Sequence, residues 1–155
     1  MFKKALITVL LVSLVVPELF AGLGSKKAQY VGGTMTEIKD GTEGTTSTRD
    51  NKVYTFSYEG KSLSIPYDQV DSLEYGQKAG RRVGVAIAIT PFALFSKKRK
   101  HFLTISWKDD NDMQQAAVFE LGKDIVRTEL ATLEARTGRK IEYQDDEARH
   151  AGKGN

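Results

Sequence analysis

Alternation with a period of two runs through the middle of the chain. From Val53 to Tyr58, Tyr54, Phe56 and Tyr58 share one face and Val53, Thr55 and Ser57 the other, the pattern of a half-buried strand. Glu59-Gly60-Lys61 is turn chemistry, and Leu63 and Ile65 resume the alternation, so a hairpin is expected before Pro66 ends regular pairing. Val70 and Leu73 carry the next extended stretch towards Tyr75. Later, Leu103, Ile105 and Trp107 fall on one face, Asp109 to Asp112 make a polar loop, and Gln115, Ala117, Phe119 and Leu121 return in register. Ahead of these, Lys26 to Ile38 reads as a first strand bent or bulged at Gly32 and Gly33. Lys39-Asp40-Gly41 turns the chain into a threonine-rich connection from Thr42 to Asp50. At Asp124 the period changes: Ile125, Val126, Leu130 and Leu133 follow helical spacing, with Asp124 as the expected cap and Gly138 as the stop. Lys140 to Tyr143 suits a short strand, and Gln144 to Asn155 reads as a polar, frayed tail.

One segment breaks the alternation. Val83 to Phe95 contains no charged side chain, yet Arg81-Arg82 precede it and Lys97-Lys98-Arg99-Lys100-His101 follow. As a helix these residues would rise about 1.5 Å each, roughly 20 Å in all, against a hydrocarbon core of about 30 Å. The stretch is too short to span a bilayer. Three readings compete. Val85, Ile87 and Ile89 can form a further strand ended by Pro91, with the basic residues as solvated turns. Alternatively, Phe92 and Phe95 dip into an acyl boundary while Arg81, Arg82, Lys97, Lys98, Arg99 and Lys100 meet anionic head groups. In the third, the same residues fill a groove on a protein partner.

Composition narrows the class. The chain has 155 residues, 40% hydrophobic and 28% charged, which suits one globular domain with tails. Lys3-Lys4, the apolar run Ala5 to Val16, and Leu19-Phe20-Ala21 form a signal peptide over residues 1–21, with Ala28 as the alternative cleavage site. An uncleaved anchor over Ala5 to Leu23 is the competing reading. Residues 22–27 are then spacer, 28–143 the domain and 144–155 the tail. Export to the periplasm or cell envelope follows from the signal. The net charge of +3 falls by one with that segment, too little surplus for a nucleic-acid protein. Cysteine is absent, so disulfides, thiolate metal sites and lipid-modified cysteines are excluded.

The strand order, the Leu63-Ser64-Ile65-Pro66-Tyr67 strand exit, the Phe102 to Leu121 hairpin and the closing helix resemble a pleckstrin-homology-like or GRAM-like domain over roughly residues 28 to 143. The resemblance implies a mostly β fold, a curved antiparallel sheet or partly open barrel closed by one C-terminal helix, and a binding role without catalysis. Its basic loop between the first two strands has no counterpart here, because Lys39 to Thr48 is nearly uncharged. No ligand residues carry over.

Other candidate chemistry is thin. Asp109, Asp110 and Asp112 lack the alternate spacing, glycine and distal glutamate of a calcium loop. His101 and His150 stand in no triad or metal-ligand spacing, and Gly80 to Gly84 lacks a phosphate-loop lysine. Tyr54, Phe56 and Tyr58 read as core in preference to a stacking platform. The sequence thus points to a non-catalytic adaptor without metal or cofactor, contacting a membrane surface or protein partner. The alternative is a small hydrophobic ligand enclosed by Tyr54, Phe56, Leu103 and Trp107.

Overall fold

A computed structural model describes residues 26–77, 88–89 and 100–154. The segment read as a signal peptide and most of the basic-apolar-basic segment, including Arg81, Arg82, Phe92, Phe95, Lys97, Lys98 and Arg99, lie outside the described residues.

The fold is one unclosed sheet with two helices. Strands β1 (Lys26–Gly33), β2 (Glu43–Ser47), β3 (Val53–Tyr58) and β4 (Lys61–Pro66) form a meander. A single 3-10 turn, Tyr67–Gln69, leads into β5 (Val70–Gly76). A two-residue strand, β6 (Ala88–Ile89), precedes the hairpin of β7 (Phe102–Lys108) and β8 (Gln114–Leu121). Helix α1 (Val126–Thr137), strand β9 (Ile141–Tyr143) and helix α2 (Asp146–Lys153) complete the chain. The spatial order is β4-β3-β2-β1-β8-β7-β5-β9, with β6 paired to β1. Each neighbouring pair is antiparallel except β5 and β9.

The hydrophobic alternation places the core on one face. Tyr30, Tyr54, Phe56, Leu73, Leu103, Ile105 and Phe119 are almost fully buried and form one cluster with Val126, Leu130 and Leu133 of α1 and Ala148 of α2. The Glu59-Gly60 turn has positive φ at both residues, as a two-residue hairpin of this hand requires. Gly33 (φ 155°) sits where an added Cβ would strike the Ala116 carbonyl, and the β1–β8 register shifts between Tyr30 and Gly32. The expected bend is therefore a bulge that only glycine fits.

Between β4 and β9 the sheet is open. Helix α1 packs beside the 3-10 turn there: an Arg136 Nη1–H donates to the Asp50 carbonyl (2.6 Å), and its guanidinium lies 5.6 Å from the Tyr67 ring centre. Gly138 ends the helix in left-handed conformation, as expected. Arg139 Nε–H donates to the Val70 carbonyl (3.0 Å), and Glu134 accepts from the Ile141 amide (2.9 Å), which seats β9 beside β5.

Four expectations need correction. The threonine-rich connection contains a strand, β2, because Thr46 is fully buried and the polar stretch pairs on both sides. The first strand stops at Gly33 and not at Ile38, because Thr34 turns off to cap β8 through its hydroxyl, which accepts from the Ala116 amide (3.0 Å). Asp124 is not the cap of α1; Ile125 holds that position with no side-chain cap. The region read as a frayed tail forms α2, capped by Asp145, whose carboxylate accepts from the Ala148 amide (2.7 Å). The small residues Ala148 and Gly152 let α2 approach Tyr143, Leu130 and Tyr75 closely, so the closing layer holds two helices where one was expected.

The outer face of the central strands is also withdrawn from solvent. Val31, Phe102, Thr104, Ser106, Ala116 and Val118 alternate with core residues and are each 5% exposed or less. Ile89 and Ala88 pair with Gly32 and Gly33 at the edge of this region, so this part of the apolar segment joins the sheet.

Candidate functional site

The long connection between β5 and β7 leaves and returns at one place, because Gly76 and Phe102 are cross-strand partners. Gln77 and His101 consequently flank the same end of the sheet, where β8 hands over to α1. The Leu121 amide donates to the His101 carbonyl (2.8 Å) and fixes its backbone there. Lys100, alone among the named basic site residues in being described, donates from Nζ to Glu120 (2.6 Å), and both side chains are about three-quarters buried (27% and 24% exposed). That ion pair joins the start of β7 to the end of β8 and uses the Lys100 charge within the fold.

A cleft of about 800 Å³ opens at this end, lined by Gln77, His101, Lys123, Asp124, Arg127 and Ala151. Lys123 and Arg127 are exposed cations on the loop after β8 and the first turn of α1. Sequence reasoning missed both. Their signal is a four-residue spacing across a helix start, which puts them near one side; only the apolar positions of that helix had been followed. The His101 ring lies nearly parallel to Tyr75, and its Nδ1 meets the Tyr75 hydroxyl. Burial pushes the Tyr75 phenol up to about 12, so the group that meets Nδ1 is a neutral hydroxyl. Where that hydroxyl donates to Nδ1, neutral His101 carries its own proton on Nε2. Burial, followed by the charge of Lys123, pushes His101 below the ordinary histidine value, against an opposing pull from Glu120.

A second polar cluster lies inside the fold. Glu129 of α1 is fully buried, and the Tyr54 hydroxyl faces both it and Thr46. Burial first, then the Glu129 charge, raises Tyr54 well above the usual tyrosine value. Tyr67 is raised by the same two causes, offset by Arg136. Glu129 was legible in principle: it falls three residues after Val126 and four before Leu133, on the buried face.

The remaining sequence candidates are placed as follows. Tyr54, Phe56 and Tyr58 are core, and Phe56 and Tyr54 pack on Phe119 at 5.0 and 5.8 Å between ring centres. Leu103 and Trp107 are likewise buried. In the acidic loop, Asp109 Oδ1 accepts from the amides of Asn111 (2.9 Å) and Met113 (3.0 Å), and Oδ2 accepts from Gln115 (2.8 Å). These bonds, Gln115 first, hold the Asp109 carboxyl below its usual range and account for the acidic cluster as a hairpin device. Among the described residues no group of three His, Asp or Glu side chains could hold a metal ion, and no helix is long and apolar enough to cross a membrane. His150 is exposed on α2 and is not among the residues that line the cleft, although its neighbour Ala151 is.

No protein-family model matches the chain, and no curated protein matches it either.

Proposed function

We propose that the protein is an exported, non-catalytic binding domain of the cell envelope that contacts an anionic lipid surface at the end of the sheet where the β5–β7 connection leaves. The observation that carries this reading is the positive charge at this end of the sheet: Lys123 and Arg127 line the cleft with His101. In the sequence, Lys97, Lys98 and Arg99 come shortly before His101. Each cation near an anionic bilayer contributes on the order of 1 kcal/mol, so a handful suffices for reversible attachment at moderate salt. The resemblance to pleckstrin-homology-like and GRAM-like domains, and the signal-like first 21 residues, support the same role. An enclosed hydrophobic ligand has less support, because Tyr54, Phe56, Leu103 and Trp107 pack into a filled core.

Co-sedimentation with vesicles tests the reading. The wild-type chain should pellet with vesicles containing about a third anionic lipid and stay in solution with zwitterionic ones. A Lys97→Gln, Lys98→Gln, Arg99→Gln variant, which leaves the Lys100–Glu120 pair intact, should lose most of that binding. Equal pelleting of both proteins on both vesicle types would remove the lipid reading.

A further inference from the structure

The cleft at the start of α1 has the chemistry of an oxyanion site, carried by residues other than those at 97–99. We propose that Lys123, Arg127 and His101 bind a phosphate group, with Arg127 and Lys123 supplying charge and His101 Nε2–H supplying a neutral donor. Four observations support it. The cleft is roomy enough for a phosphate with its ester substituent, at about 800 Å³. Among the described residues neither Lys123 nor Arg127 has a carboxylate in ion-pair contact, whereas the nearby Lys100 does. Helix α1 begins at Ile125 without a side-chain cap, so its first-turn amides and dipole favour an anion on this side. The Tyr75 hydroxyl engages His101 Nδ1, which leaves Nε2 as the ring nitrogen available to a ligand. Among the described residues Asp124 is the one carboxylate of the lining, against the two cations Lys123 and Arg127.

The site is coupled to pH. The groups facing His101 are Tyr75 from β5, Glu120 from β8 and Lys123 from the loop, with Asp124 and Arg127 across the cleft. A bound phosphate anion offsets the repulsion from Lys123, so it raises the His101 midpoint. By linkage, protonation of His101 tightens the anion by the same factor. For one ionisation state of the phosphate, a midpoint raised by one unit means about tenfold tighter binding to protonated than to neutral His101.

The chain has two histidines, so imidazole proton resonances report His101 cleanly, with His150 as internal control. Adding inorganic phosphate at ionic strength matched with chloride should move the His101 midpoint upward, saturably, and leave His150 in place. Lys123→Gln with Arg127→Gln should abolish the phosphate effect, and both positions are exposed, so the fold is retained. Arg127→Lys should keep part of it. An identical His101 titration in phosphate and chloride overturns the proposal. Vesicles containing phosphatidic acid identify the source: a His101 response to them above that to phosphatidylserine assigns a lipid head group, and a response to inorganic phosphate alone assigns a soluble phosphate. The 97–99 variant separates this site from the vesicle reading, because it should lose pelleting while keeping the phosphate response.

Discussion

At the scale of single residues, the inner polar cluster sets the tightest constraint. Tyr54, Thr46 and Glu129 are all fully buried, and the tyrosine hydroxyl faces the other two. That hydroxyl is the polar neighbour of a buried carboxyl and a buried threonine, and removing it leaves both facing a phenyl edge. Tyr54→Phe should therefore cost about 1–3 kcal/mol, although the ring fits unchanged. Urea unfolding checks this: the midpoint falls and the slope is preserved. The aromatic alternation of β3 made Tyr54 legible as core. Its hydroxyl partner was not, because Glu129 lies far along the chain and a lone acid on an apolar helix face is easily read as solvated. The same holds for Lys123 and Arg127, which belong to the cleft only once β8 delivers the loop beside His101.

At the scale of elements, what was legible follows packing chemistry. Strands β3, β4, β7 and β8 announce themselves through large apolar side chains at every second position, and Gly32-Gly33 through the cost of placing any side chain at a bulge. Strand β2 and helix α2 contribute little hydrophobic area. Glu43–Ser47 offers no apolar side chain, and α2 docks through Ala148 and Gly152, residues whose contribution is their smallness. Such elements form because neighbours accept them, which no local pattern reveals. Gly152 gives a direct test. A Cβ there would lie 2.7 Å from the Tyr143 ring and 3.0 Å from Leu130. Gly152→Val should lift α2 away, with loss of hydrogen-exchange protection confined to residues near 146–153 while β7 and β8 stay protected. Protection of α2 equal to wild type would mean that its seat is looser than the contacts imply.

For the whole molecule, the decisive question is which faces of the sheet meet solvent. The central strands β1, β8 and β7 are buried on both sides, with Val118 fully inaccessible on the outer one. A sheet carrying one solvated face would tolerate a charge at that position; this one should not. Val118→Asp places an unpaired carboxylate between Thr104 and Gly32, its cross-strand neighbours. The expected loss is about 3 kcal/mol or more, read as a lowered thermal or urea midpoint. A loss under about 0.5 kcal/mol would instead mark the outer face as open surface. The alternating pattern fixed the inner face from sequence alone. The outer face escaped notice because Thr104, Ser106 and Ala116 are residues that solvent normally keeps.

The pairing of β1 with β8 has one more implication. Ala28 lies opposite Leu121, so β1 is joined to a strand that arrives only after β2 to β7 have been made. Contacts so distant along a chain form slowly, so the meander of β2, β3 and β4 can pair well before β1 finds β8.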